Sequence, residues 1–139
     1  MSPDHQQNNL ASWRRIEVFV ERARVKAPAA RFLRESVALG LDQYFRADQS
    51  MNALTFSTVP DGRYLPNEPR VIVNFLGEEG VRLVYRARNF STLEYTLTFD
   101  AAFPTFRRFL NQLWTDTMPE PIPEALRGFF APVLTPTRQ

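Results

Sequence analysis

The fold is decided by residues 70–99, which read RVIVNFLGEEGVRLVYRARNFSTLEYTLTF. Apolar and polar side chains alternate through three runs, at about 70–76, 81–88 and 92–99. A period of two is typical of half-buried strands. The short segments between the runs, Gly77–Gly80 and Asn89–Ser91, have the composition of tight hairpin turns. We therefore predict an antiparallel meander.

Pairing these strands through their turns predicts one consistent inner face. We place Gly77 opposite Val81 and Gly80 in a left-handed conformation. The resulting pairs are Phe75 with Leu83, Val73 with Tyr85, Val71 with Ala87, Tyr85 with Tyr95 and Leu83 with Leu97. A slip of one residue would turn all of these side chains to the other face, so the pattern specifies the faces strongly.

A fourth strand is predicted upstream of the meander. Leu54 and Phe56 begin a run of period two that stops at the turn sequence Pro60-Asp61-Gly62. The proline-rich residues 60–69 then read as a long loop.

Helices are predicted on both sides of the strands. Apolar residues at helical spacing place one helix over 12–26, although alternating β-branched side chains leave a strand as the alternative for 13–25. A continuous apolar stripe predicts a second helix over 28–46. A third runs over 101–114, with Asp100 as its N-cap.

Together these elements predict an α+β fold, a four-stranded antiparallel meander with two N-terminal helices and one C-terminal helix packed on one face. We divide the chain into a polar N-terminal tail at 1–11, a single domain at 12–117 and a Pro-rich apolar arm at 118–139. The arm is too apolar for a free tail, so it packs on the domain or on a partner. Its apolar residues are Met118, Ile122, Leu126, Phe129, Phe130, Val133 and Leu134.

The composition argues against most catalytic chemistries. The 139 residues include no cysteine, and the one histidine, His5, lies in the polar tail. Ser-His-Asp and Cys-His arrangements and Cys-ligated metal sites therefore lack their residues. Neither a Gly-rich phosphate loop nor EF-hand spacing is present. We predict no enzymatic activity, no catalytic residue, no metal site and no cofactor.

The charge balance sets limits on the partners. Sixteen arginines and a single lysine, Lys26, face fifteen carboxylates, for a formal charge of +2. That total is too small to imply attraction to nucleic acid by itself. The sequence has neither a recognisable leader nor an apolar run near the roughly 18 residues that span a bilayer. We therefore expect a cytoplasmic protein without a membrane contact.

The polar face of the meander is the candidate site. It gathers arginines around two apolar side chains, and the 60–69 loop adds a second edge. The predicted partner-binding residues are Arg70, Ile72, Arg82, Val84, Arg86, Arg88, Arg63 and Tyr64. The planar fork and apolar stem of arginine suit such surfaces. The register also predicts an ion pair between Arg86 and Glu94 across two strands.

These features predict a non-catalytic protein-binding module of the adaptor, secretion-chaperone, immunity or assembly type. Its partner is another protein, and a homo-oligomer is one version of this. The same pattern would also arise from the plain solvated side of an antiparallel sheet.

Two alternatives stay open. A small-molecule-binding or enzymatic domain would need a pocket between helix 28–46 and the sheet. Its polar candidates are Tyr44, Tyr85, Tyr95, Asp61 and Arg63. Nucleic-acid binding through the arginine patch is the second alternative. It is disfavoured because the aromatic residues of the sheet share the parity of the core, whereas base-stacking sheets expose them.

Overall fold

The computed structural model describes residues 1–22, 26–50, 53–61, 67–77 and 80–132, with the backbone alone at 18–19, 21–22 and 26. The described elements are the helices α1 (Pro3–Arg22), α2 (Lys26–Ala38) and α3 (Phe99–Thr117) and the strands β1 (Arg46–Ser50), β2 (Ala53–Ser57), β3 (Arg70–Phe75), β4 (Gly80–Arg86) and β5 (Thr92–Thr98). The strands form one antiparallel sheet in chain order. The α+β class is confirmed, whereas the predicted count of four strands is wrong.

The additional strand is β1, whose first residue, Arg46, is the last residue of the helix predicted over 28–46. α2 ends at Ala38 because Gly40 adopts a left-handed conformation, with φ at 74°. Its N–H donates to the carbonyl of Val37 at 2.9 Å, which closes the helix end. A short 3-10 turn over Leu41–Gln43 then leads the chain into β1.

The first helix begins at Pro3, so residues 3–11 of the predicted polar tail form its first turns. Asn9, deep in that segment, is fully buried. The helix reading of 13–25 is correct as far as Arg22, and residues 23–25 lie outside the described part.

One face of α1 covers the free edge of β1. Asn9 Nδ2 donates to the carbonyl of Gln43 at 2.9 Å, Trp13 Nε1 donates to the carbonyl of Phe45 at 2.7 Å, and the N–H of Ala47 donates to Ser12 Oγ at 2.9 Å. Asn9, Ser12 and Trp13 share one face of α1, because residues three and four apart on a helix are neighbours. Ala47 lies in β1, whereas Gln43 and Phe45 lie in the segment that leads into it. α1 therefore satisfies groups at the free edge of β1 and in the chain just before it.

The helices pack on the face of the sheet that alternation predicted to be inner. Phe32 of α2 is fully buried and contacts four other rings, those of Phe75, Phe99, Phe103 and Phe106. Val71, Val73, Leu83 and Tyr85 are likewise fully buried. Tyr95 shares their parity but is 42% exposed, since β5 is the other edge of the sheet.

The predicted register is wrong by two residues in both hairpins. Phe75 lies opposite Val81 and Val73 opposite Leu83, while Leu83 lies opposite Tyr95 and Tyr85 opposite Leu93. The β3–β4 loop begins one residue earlier than predicted, since Leu76 N–H donates to the carbonyl of Gly80. Gly80 starts β4 and is not left-handed. A slip of two preserves the side-chain faces, so inner and outer residues keep their assignment.

The third helix holds the C-terminal arm. Its N-cap is Thr98, whose Oγ1 accepts from the N–H of Ala101, rather than Asp100. Arg107, Asn111 and Trp114 on one face of α3 donate to the carbonyls of Ala125, Leu126 and Glu120. Residues 118–132 therefore lie against their own domain, with Leu126 fully buried, while 133–139 lie outside the described residues.

Ser12 and Ser36 give a matched test of the edge contact, since both serines are fully buried on helices. Ser12→Ala leaves the buried Ala47 N–H without its acceptor, and we expect a loss of about 1–3 kcal/mol. Ser36 Oγ only donates back to the carbonyl of Phe32, so Ser36→Ala is expected to cost less than about 1 kcal/mol. Urea unfolding measures both; equal losses would contradict the edge role of Ser12.

The arm offers a second matched pair. Leu126→Ala opens a cavity beneath the arm and is expected to cost about 2–5 kcal/mol of unfolding free energy. Phe130→Ala removes a larger side chain that is 80% exposed, so a change within about 0.5 kcal/mol is expected. Denaturant midpoints compare the two. A near-neutral Leu126→Ala variant would mean that the arm adds nothing to the core.

Candidate functional site

The outer face of the sheet is the side turned away from the helices. Its central cross-strand row consists of Asp48, Thr55, Ile72, Val84 and Glu94, one residue from each strand. The face is basic, since it carries Arg46, Arg70, Arg82 and Arg86 against the carboxylates of Asp48 and Glu94. The structure thus brings Arg70, Ile72, Arg82, Val84 and Arg86 of the predicted site onto one surface.

The apolar centre of this face is Ile72 directly opposite Val84. Ile72 is half-buried and Val84 is 7% exposed, although no described helix covers them. Val84 is flanked by Arg82 and Arg86 along its own strand. Because Val84 is buried and its neighbours along the strand are arginines, the free surface is more polar than the sequence pattern indicates.

Arg82 forms an ion pair with Glu94 across β4 and β5. Its Nε contacts Glu94 Oε1, and both side chains are nearly half exposed. Arg86 lies opposite Thr92 and Arg70, so its predicted position opposite Glu94 is wrong. The two-residue slip of register moves Glu94 toward Arg82.

Arg70 and Arg86 place two positive charges directly opposite each other. The Arg86 guanidinium also lies 4.9 Å from the ring centroid of Phe90, which is 55% exposed in the β4–β5 turn. Phe90 takes φ at 67°, a left-handed conformation that bulky side chains rarely adopt. Phe90 therefore presents its ring at the basic edge of the face.

The sequence pattern did not identify Arg46 and Asp48 as candidate site residues, because it did not predict β1. Arg46 and Asp48 project from the same side of β1, with Arg46 Nε 2.9 Å from Asp48 Oδ2 and Nη2 3.2 Å from Oδ1. Such a two-pronged contact fixes the planar guanidinium. In the sequence, β1 is indicated by the charged residues on either side of Ala47, and this alternation is too short to identify a strand.

The other predicted site residues do not join this row. Arg88 lies in the β4–β5 turn, and its charge acts on the hydroxyl of Tyr85, which belongs to the inner face. Arg63 and Tyr64 lie outside the described residues. The candidate surface is therefore centred on β3 and β4, with Arg46 and Asp48 extending it across β1.

The space predicted for a pocket between helix 28–46 and the sheet is filled by the aromatic cluster around Phe32. Tyr44 packs against Trp114, and Tyr85 packs against Phe109. The Tyr85 hydroxyl donates to Asp116, and burial, with that bond, raises the pKa of Tyr85 far above its usual range. Tyr85 is therefore a satisfied core residue.

Comparison with known proteins identifies no matching family model, curated protein or solved structure. Within the described ranges, no group of three or more histidines and carboxylates could hold a metal ion. None of the described helices is both long and apolar enough to cross a membrane. The interpretation of the outer face therefore depends on its geometry and charge.

The observed register makes a direct prediction for double-mutant cycles. The cycle of Arg82→Ala and Glu94→Ala is expected to give a coupling of about 0.2–1 kcal/mol, typical of exposed pairs. The cycle of Arg86→Ala and Glu94→Ala is the matched control and should give a smaller coupling. Chemical denaturation in low salt measures both. A stronger coupling for Arg86 would contradict the register.

Proposed function

We propose that this chain is a non-catalytic protein-binding module that docks through the outer face of its sheet onto an acidic surface of another protein. The observation that carries the proposal is the convergence of Arg46, Arg70, Arg82 and Arg86 on one face that none of the described helices covers. Adaptor, secretion-chaperone, immunity and assembly roles are all compatible with such a surface.

The chemistry of the face suits a protein partner. Interfaces are enriched in arginine, whose stem packs on apolar groups while its fork binds carboxylates. Ile72 and Val84 offer a small apolar centre beneath the arginine stems.

Nucleic acid is the second candidate, favoured by the excess of arginine on this face. The described strands, however, place no aromatic ring on it, and Phe90 stands alone at its edge. Sheets that bind single strands stack bases on several exposed rings. The small-molecule alternative has less support, because rings fill the space predicted for its pocket.

A charge-reversal experiment tests the proposal. The full chain carrying Arg82→Glu and Arg86→Glu is compared with wild type and with a charge-matched control, Arg15→Glu with Arg127→Glu. Both control arginines are exposed and lie away from the outer face. Proteins retained from extracts of the native cells, with and without nuclease treatment, are quantified for each form.

We expect at least one protein that wild type and control retain equally and the outer-face variant loses by about tenfold or more. Its binding should weaken with salt, because the contact is electrostatic. Equal retention by both double variants would overturn the proposal. Loss of retention on nuclease treatment would indicate nucleic acid instead. Arg82→Gln with Arg86→Gln serves if charge reversal prevents folding.

A further inference from the structure

A second surface lies on the helix side of the molecule, between α1 and α2. It is an open groove of about 700 Å³ with an apolar floor. Its floor includes Leu10, Trp13, Val20 and Leu33. Val37 stands along its α2 wall and is 47% exposed. Contiguous apolar grooves on soluble domains mark binding sites more often than single exposed side chains do.

The rim of the groove is balanced in charge. Arg14 and Glu17 stand on the α1 wall, while Arg34 and Asp42 stand on the opposite wall. No ion pair joins any of the four to another described residue. Burial raises the pKa of Asp42, so a cation brought beside this carboxylate would gain from the contact.

We infer that this groove binds a second copy of the chain about a two-fold axis. A two-fold interface requires one patch that complements itself, so that each contact occurs twice. The rim supplies matching charges for such a patch, because each copy contributes two arginines and two carboxylates, and the exposed Val37 supplies an apolar contact. Val37 of each copy packs into the groove of the other, and rim arginines face rim carboxylates.

The charge balance favours a copy over other occupants. A strongly acidic partner would be repelled by Glu17 and Asp42, and a strongly basic one by Arg14 and Arg34. A second copy supplies equal numbers of both charges together with apolar surface. The inference is independent of the proposed function, since the groove and the outer face share no residue.

Rim-swapped variants of the full chain test it by sedimentation equilibrium. The acidic-rim variant carries Arg14→Glu and Arg34→Glu, and the basic-rim variant carries Glu17→Lys and Asp42→Lys. We expect wild type to dimerise and each variant alone to dimerise at least about tenfold more weakly. An equimolar mixture of the two variants should recover the wild-type association, because opposite rims then meet.

Val37→Glu provides an independent test at an exposed position and is expected to abolish the dimer while circular dichroism stays unchanged. The outer-face variant Arg82→Glu with Arg86→Glu is the control and should dimerise as wild type does. A monomeric wild type up to millimolar concentration would overturn the inference. So would unchanged dimerisation of Val37→Glu, or a mixture of folded rim variants that fails to associate.

Discussion

The hydrogen bonds from α1 to the free edge of β1 are the constraint on which the rest of the structure depends. β1 buries a single side chain, Ala47, so burial alone cannot hold it on the sheet. Ser12 bonds the Ala47 N–H within β1, and Asn9 and Trp13 hold the carbonyls of the segment that leads into the strand. The same contact positions α1 as one wall of the groove and places Arg46 and Asp48 on the outer face. One set of buried polar contacts therefore supports both candidate surfaces.

α3 uses the same device on the other side of the core. A proline-rich arm forms few regular hydrogen bonds, because proline lacks an N–H, but its carbonyls still need donors. Arg107, Asn111 and Trp114 are all donors, and they recur along one face of the helix. Burial lowers the pKa of Arg107, whose guanidinium also lies 3.6 Å from the Phe129 ring centroid. Side chains of α3 thus hold the irregular C-terminal arm against the domain.

Side-chain periodicity was sufficient to predict β2 to β5, most of α3 and the face on which each sheet residue lies, because a buried face imposes a period of two on a strand and of about 3.6 on a helix. It could not locate β1, whose polar residues Arg46, Asp48 and Ser50 resemble a loop. It could not locate the start of α1 either. Asn9, near that start, is polar but buried, because its side chain donates to the carbonyl of Gln43, which is remote in sequence. The register depended on the geometry of the loops. Gly80 is not left-handed in the β3–β4 loop, whereas Phe90 is left-handed in the β4–β5 turn. The arginine cluster was predictable by parity, but its pairing with Glu94 was not.

The placement of every described helix on one side of the sheet has a geometric consequence. The outer face and the α1–α2 groove are separated by the thickness of the core, so an occupant of one does not obstruct the other. Two molecules joined through their grooves would hold two outer faces at a fixed distance. Engagement of the first face would then raise the effective concentration of the second toward a partner with repeated binding sites. A domain with one modest docking surface could in this way act as a bivalent clamp.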